Sequence, residues 1–150
     1  MTLVLERRHL EAIRRHAEAD YPREACGLLG GTAEGDRKVV VQLVPVANAR
    51  TDASRNRYLI DPDAFRRAVA GLERDGLDVI GVYHSHPDHP ARPSEFDREY
   101  AWPWLSYVIV EVRSGRAGAQ HSWVLADDRR SFAEEPVTME EGNVVWQSPS

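Results

Sequence analysis

The chain has 150 residues, 42% hydrophobic and 29% charged, which is ordinary for a globular protein with one core. Its net charge of −5 argues against nucleic-acid binding through a basic surface. No apolar run is long enough to span a membrane, and charged residues follow the N-terminus too early for a signal peptide. The single cysteine excludes an internal disulfide and a cysteine-based zinc cluster, so we expect a reducing, cytoplasmic location.

The first predicted element is an amphipathic helix over residues 5–20. Apolar residues recur there at helical spacing, with arginines and glutamates on the other face: Leu10, Ile13 and Ala17. The helix is expected to end at Tyr21-Pro22, because the residue before a proline disfavours the helical conformation.

Two strands are predicted next. A buried strand over residues 25–29 is closed by Gly30-Gly31, and after a loop over residues 32–37 a second strand covers residues 39–46. Cys26 lies in the first strand among apolar neighbours, which raise the pKa of a thiol. We therefore expect a small core residue there, in preference to a ligand or a nucleophile.

A polar stretch without periodicity covers residues 48–57 and contains Arg50, Arg55 and Arg57. It predicts a surface loop. The arginines serve either solubility or contact with an acidic protein partner, and the sequence leaves both interpretations open. A short strand over residues 58–60 is expected to follow.

The second helix is predicted to begin at Asp61-Pro62-Asp63, which offers a cap, a proline at the first helical position and an early acid. Gly76 is expected to stop it. Its apolar face is formed by Phe65, Val69 and Leu72. Residues 77–83 then predict a central strand, in which Gly81 allows another backbone to approach closely.

Two later strands are predicted over residues 106–112 and 120–126, joined by a turn over residues 115–118. In the second strand, we expect Trp123 to be packed and His121 to lie on the surface.

The acidic tail from about residue 134 lacks a clear core pattern and predicts either disorder or an edge strand around residues 137–139 followed by disorder. Helices and strands alternate without repeats, low-complexity segments or a linker. This pattern predicts one α/β domain over residues 1–150, with a mixed sheet and flanking helices.

The most informative stretch follows the central strand. His84 and His86 lie two residues apart, so their side chains leave a strand on the same face and can converge on one point. Three prolines then favour a stiff extended loop: Pro87, Pro90 and Pro93. Asp97, in the first turn of a short third helix ending near Trp102-Pro103, can return a carboxylate toward the histidines. Two imidazoles, one carboxylate and an open position describe a catalytic zinc site.

Ser94 and Asp97 also fit a helix capping box, with serine at the cap and an acid three residues later. Capping and metal binding are compatible, because a capped helix start is a rigid place for a ligand. His89 lies between two prolines and is expected to be exposed to solvent.

The spacing from His84 to Asp97 resembles the JAMM (MPN+) metalloprotease motif, His-x-His-Pro-x6-Ser-x-x-Asp. Glu24, in Glu-x-Cys-Gly-Leu-Leu-x-Gly, resembles the upstream glutamate of the compact prokaryotic members. The resemblance covers roughly residues 3–130 and implies the cytidine-deaminase-like JAB/MPN fold. The deaminases themselves are excluded, since their Pro-Cys-x-x-Cys cannot be built with one cysteine.

The resemblance also implies roles for the matching residues. His84, His86 and Asp97 bind Zn²⁺, Glu24 is the general base for a metal-activated water, and Ser94 assists the oxyanion. The implied reaction is hydrolysis of a peptide or isopeptide bond at the C-terminal tail of a ubiquitin-like or sulfur-carrier protein.

Two other classes remain open at this point. A non-catalytic MPN-type scaffold would bind a ubiquitin-like protein without cleaving it, although a scaffold does not need the five matching residues. A non-haem iron oxygenase also uses two histidines and one carboxylate, usually in a different order. A homodimer is left open, and neither nucleic acid nor a membrane is expected as a partner.

Overall fold

The computed structural model describes residues 1–48 and 60–141. The predictions for residues 49–59, including the three arginines, and for residues 142–150 lie outside this part. The described residues form eight strands and three helices: β1 (Thr2–Glu6), α1 (Arg7–Asp20), β2 (Cys26–Glu34), β3 (Arg37–Val46), α2 (Pro62–Arg74), β4 (Asp78–Pro87), α3 (Glu95–Tyr100), β5 (Ser106–Arg113), β6 (Arg116–Leu125), β7 (Phe132–Glu135) and β8 (Val137–Glu140).

The strands form one sheet in the order β7-β6-β5-β4-β2-β3-β1-β8. The β1–β3, β1–β8 and β4–β5 pairs are parallel and the others are antiparallel, so the predicted mixed sheet is confirmed. β7 and β8 are the two end strands of this order, yet only Pro136 separates them in the sequence. The sheet must therefore curve until its two ends approach each other.

A buried ion pair lies where the ends meet. The Lys38 ammonium of β3 is 3.6 Å from an Oε2 of Glu135 in β7 and donates a hydrogen bond to the carbonyl of Trp104. The second carboxylate oxygen of Glu135 accepts from the Ser122 hydroxyl at 2.8 Å. This buried ion pair and its hydrogen bonds connect the β3 side of the sheet to the β6–β7 side.

Two hydrophobic clusters hold the layers together. One contains Ile13 and Ala17 of α1 with Leu29 and Tyr83, and the other contains Leu28 and Val82 with partly buried residues of α2. Neighbouring residues of β2 and β4 thus belong to different clusters, because side chains alternate across a strand. The predicted apolar face of the first helix is confirmed.

The predicted start of the first helix is wrong. Residues 2–6 form β1, and the helix begins at Arg7. Leu3, Val4 and Leu5 are buried because β1 lies between β3 and β8. A short apolar run directly before an amphipathic helix resembles one more turn of that helix, and only the neighbouring strands distinguish the two.

The predicted closure of β2 at Gly30-Gly31 is also wrong. β2 continues to Glu34 with a bulge between the two glycines, and the predicted loop shrinks to a turn at Gly35-Asp36. A Cβ on Gly31 would lie 1.9 Å from the carbonyl oxygen of Val39, so this glycine serves close packing within the sheet. The close approach expected at Gly81 is confirmed, since a Cβ there would lie 2.3 Å from the carbonyl oxygen of Ser106.

The second helix begins and ends as predicted. The Asp61 carboxylate accepts from the Ala64 amide at 3.0 Å, and Gly76 follows the helix with a φ of +73°. Its buried face differs, because Phe65 is 40% exposed while Ala64, Ala68 and Leu72 are turned inward. The small alanines permit a close approach to the sheet.

The last strands of the sheet largely agree with the prediction from the sequence. The expected edge strand is confirmed as β8, whereas β7 was not predicted. His121 is exposed beside Glu134, as expected, and Trp123 is half-buried. Of the predicted strand over residues 58–60, Ile60 is described and forms a bridge with Asn48. Within the described residues, no helix is long and apolar enough to cross a membrane.

Candidate metal centre

The candidate metal centre lies at the end of β4, near the middle of the sheet. β4 pairs with β2 on one side and β5 on the other, and His84 is opposite Cys26 of β2. This register brings the end of β4 close to Glu24, which lies two residues before β2. The third helix, α3, carries Asp97 back over the histidines.

Three donor groups converge at this point. The Nε2 atoms of His84 and His86 are 3.2 Å apart, and they lie 3.3 and 3.2 Å from Oδ1 and Oδ2 of Asp97. All three residues are buried. A tetrahedral zinc ion with bonds of about 2.0–2.1 Å separates its ligand atoms by about 3.3 Å. The donor types suit a zinc-like ion, and each imidazole nitrogen lies at about this separation from the other imidazole and from one carboxylate oxygen.

Hydrogen bonding orients one of the imidazoles. The Nδ1 atom of His86 is 2.8 Å from the carbonyl oxygen of Pro90, a pure acceptor, so Nδ1 carries the proton. This tautomer leaves the lone pair of Nε2 directed at Asp97 and His84. The pKa of His84 is lowered by burial, which favours the neutral form that a metal ligand requires.

Asp97 is both a helix cap and part of the donor group. Its Oδ2 accepts from the Ser94 amide at 2.8 Å, and the Asp97 amide donates to the Ser94 hydroxyl oxygen at 3.1 Å. The capping box predicted from the sequence is therefore confirmed. Burial opposes ionisation, but the adjacent imidazoles of His84 and His86 outweigh it and hold the pKa of the Asp97 carboxyl well below its usual range.

Glu24 lies in the wall of a cavity of about 230 Å³ that is also lined by His86 and Ser94. Glu24 is 1% exposed, and its backbone carbonyl accepts a hydrogen bond from the side-chain amide (Nδ2) of Asn48 at 3.0 Å. Glu24 also borders a second cavity of about 510 Å³ at the end of β3. The structure thus brings all five predicted site residues to one place.

Ser85 joins the two halves of this site, and the sequence did not single it out. Its hydroxyl oxygen accepts from the Ala25 amide at 2.8 Å, and its own amide donates to the Ala25 carbonyl at 3.1 Å. The residue after Glu24 is therefore fixed to the residue between the two histidines. The available signal was a polar residue within a buried strand, which requires a partner.

Two loop residues also line the smaller cavity. His89 is exposed, as predicted, yet it contributes to the cavity wall together with Arg92. Arg92 had no predicted role. Their position between two motif residues, on a loop stiffened by prolines, was the signal that could have identified them.

Cys26 is a core residue, as expected. Its thiol is buried and lies 3.6 Å from the carbonyl oxygen of Val46. Burial, followed by the charge of Glu24, raises the pKa of the thiol to about 12. The group that could hold a metal ion includes no cysteine among the described residues.

A curved mixed sheet with two histidines ending its central strand and an aspartate on the following helix defines a JAB-type metalloprotease domain. The chain belongs to the prokaryotic JAB family: residues 6–126 match the family described as prokaryotic homologs of the JAB domain. The resemblance drawn from the motif is therefore confirmed, and so is the fold class.

Several relatives are similar in sequence to the chain over most of their length. A desampylase of Haloferax volcanii is 37% identical over 76% of this chain and 79% of its own. A probable TtuB-protein conjugate cleaving protease of Thermus thermophilus is 36% identical over 78% and 75%. A CysO-cysteine peptidase of Mycobacterium tuberculosis is 31% identical over 93% and 92%.

Solved structures agree with this assignment. The solution structure of a Desulfitobacterium hafniense protein matches with a TM-score of 0.80 and 33% identity, covering 93% of each chain. A Salinibacter ruber protein matches with a TM-score of 0.72 and 40% identity, covering 97% of this chain and 94% of its own.

Proposed function

We propose that this JAMM-type hydrolase cleaves a peptide or isopeptide bond at the C-terminal tail of a ubiquitin-like or sulfur-carrier protein. The observation that carries the proposal is the convergence of His84, His86 and Asp97. These residues lie beside a cavity that is lined by the buried Glu24. The names of the relatives, a desampylase, a conjugate-cleaving protease and a CysO-cysteine peptidase, support this substrate class. A binding scaffold would have no need of this arrangement.

We assign the metal to His84, His86 and Asp97, and we propose zinc as its identity. Two neutral imidazoles and one carboxylate, with donor separations of 3.2–3.3 Å, support this choice. When bound there, zinc supplies Lewis acidity, which can lower the pKa of water to about 7 and polarise a carbonyl group.

Glu24 is the proposed general base. It accepts a proton from the attacking water and delivers it to the nitrogen that leaves when the amide bond breaks. Its burial keeps the carboxylate away from bulk solvent, and the cavity it shares with Ser94 gives substrate access to both groups.

Ser94 is the proposed oxyanion donor. Its hydroxyl oxygen accepts from the Asp97 amide, so the hydroxyl hydrogen remains available for the carbonyl oxygen of the substrate.

The partner's tail is proposed to lie along β3. Pairing of β1 with β3 ends at Val39, so among the described strands residues 40–46 pair with β2 alone. An extended Gly-Gly tail can add to such an edge, and the 510 Å³ cavity continues from the end of β3 to Glu24. We also propose that residues 1–150 form one domain and that the enzyme acts in the cytoplasm, as its single cysteine suggests.

The decisive experiment is Glu24→Gln. We expect the variant to retain its metal and to bind a sulfur-carrier conjugate, while mass spectrometry shows cleavage reduced by about 10²–10⁴-fold. Glu73→Gln, at an exposed position of α2, is the matched control. Unchanged cleavage by Glu24→Gln would remove Glu24 from the mechanism, and binding without cleavage by the wild type would favour the scaffold.

Metal analysis of protein purified without a metal-affinity tag tests the second alternative. Zinc at about one ion per chain is the expected result. Iron in its place would favour the oxygenase class.

A further inference from the structure

The smaller cavity beside the metal centre has a distinct chemical character. Its lining consists of Glu24, His86 and Ser94, together with the exposed loop residues His89, Pro90 and Arg92. Its volume of about 230 Å³ is below the range of about 300–1,000 Å³ typical of sites for drug-sized ligands. The cavity therefore suits a group of about one amino-acid residue better than a folded protein surface.

Arg92 carries the permanent positive charge of this lining. Its guanidinium makes no hydrogen bond or ion pair with any residue in the described part of the chain. Two arginines on either side of the site differ in this respect: the half-buried Arg98 pairs with Glu95, and the exposed Arg113 pairs with Glu111. The Arg92 side chain is thus available to a ligand.

The backbone that carries Arg92 is fixed. The carbonyl oxygen of Ala91, a buried residue, accepts from the Trp123 indole at 3.0 Å. The carbonyl oxygen of Pro90 accepts from the Arg92 amide at 2.8 Å and is also the acceptor for His86. One carbonyl group therefore positions both a candidate metal ligand and the backbone of Arg92, so little backbone entropy is lost when the guanidinium binds a ligand.

The charges in this cavity match a particular product. Hydrolysis of a C-terminal peptide bond releases an amino acid with an ammonium group and a carboxylate separated by one carbon atom. Glu24, which delivers the proton to the leaving nitrogen, lies on the cavity wall with the opposite charge to the ammonium group. Arg92 lies on the same wall and can bind the carboxylate with two parallel hydrogen bonds.

We propose that Arg92 binds the free α-carboxylate of the residue released, so that the enzyme prefers single-residue C-terminal extensions of its partner's tail over isopeptide links to lysine. This inference rests on the proposed function and names its substrate class. The C–N bond after the tail breaks, water supplies the oxygen of the new tail carboxylate, and its protons go to the nitrogen of the released amino acid. An isopeptide-linked lysine within a protein offers Arg92 a neutral amide in place of the carboxylate.

The test compares three conjugates of one sulfur-carrier protein ending in Gly-Gly. The first carries one additional alanine as the free acid, the second carries alanine amide, and the third carries a peptide joined through a lysine side chain. For the wild type we expect kcat/KM for the acid to exceed that for the amide by about 10-fold to 100-fold, the range of a charge-assisted hydrogen bond. The lysine-linked conjugate should resemble the amide.

Variants assign the preference to the guanidinium. In Arg92→Gln, the acid-to-amide ratio should fall to within about threefold of one, and Arg92→Lys should be intermediate because it keeps the charge without the bidentate geometry. Arg67→Gln, at an exposed position of α2, should keep the wild-type ratio. A merely structural effect of Arg92 would slow all three conjugates equally.

A binding measurement separates this inference from catalysis. In the Glu24→Gln background, calorimetry should show tighter binding of the acid than of the amide, and adding Arg92→Gln should abolish the difference. Wild-type cleavage with a ratio near one would overturn the role of Arg92 and leave the proposed function intact. Cleavage of none of the conjugates would overturn both.

Discussion

Replacing Ser85 by alanine tests whether the hydrogen bond between β4 and the segment after Glu24 positions the general base. The Ser85 hydroxyl oxygen accepts from the Ala25 amide at 2.8 Å, and both residues are 1% exposed. Ser85→Ala leaves that amide buried without its acceptor, which costs about 1–3 kcal/mol. For a chain of this size, a loss of 2 kcal/mol lowers Tm by about 4–8 °C.

Ser106→Ala is the matched control, since Ser106 is a buried serine in the neighbouring strand β5. Its hydroxyl makes no hydrogen bond with a described residue, so its removal should change the free energy of unfolding by less than about 0.5 kcal/mol. Urea denaturation and calorimetry of the two variants give the comparison.

The effect on activity separates positioning from simple destabilisation. At a temperature where Ser85→Ala is fully folded, we expect kcat to fall while the zinc content stays at the wild-type level, because Glu24 shifts and the metal ligands do not. Equal stability of Ser85→Ala and Ser106→Ala, together with wild-type kcat, would refute the reasoning.

Three further predictions concern the metal, the sheet closure and the thiol. His84→Ala should lose stoichiometric zinc in metal analysis, whereas the exposed His121→Ala should keep it; a fully metallated His84→Ala would contradict the ligand assignment. Lys38→Met leaves the carboxylate of Glu135 buried without its cation and should cost about 3–5 kcal/mol by urea denaturation. Adding Glu135→Gln should recover most of this loss, and additive losses would argue against the pair. The pKa of Cys26 is raised by burial from 9.0 to about 12, so its contribution to stability is complete below about pH 9 and is lost as the pH rises toward 12. Cys26→Ala should therefore flatten the decline of Tm across this range, and rapid labelling of the native thiol at pH 8 would contradict its burial.

Local patterns accounted for much of the fold. The spacing of Ile13 and Ala17, the cap at Asp61 and the left-handed Gly76 each depend on neighbours within a few residues, and each was predicted correctly. The errors arose where partners are distant. Gly31 predicts a strand end because the sequence does not reveal the carbonyl of Val39, which requires a glycine there. For the same reason the sequence pattern misses β1 and predicts a helix over its last two residues.

The sequence by itself determined the chemistry of the donor group, because His84, His86 and Asp97 lie within 14 residues on a strand, a stiff loop and a capped helix start. The tertiary structure decided what surrounds that group. Ala25 and Ser85 are 60 residues apart, and their hydrogen bond depends on the register between β2 and β4, which long-range packing sets. The same packing places Glu24 and Arg92 in the lining of one cavity. It also brings the Lys38 ammonium within 3.6 Å of the Glu135 carboxylate. Such contacts leave no local periodicity in the sequence, so they arise only when distant strands pair in the folded sheet.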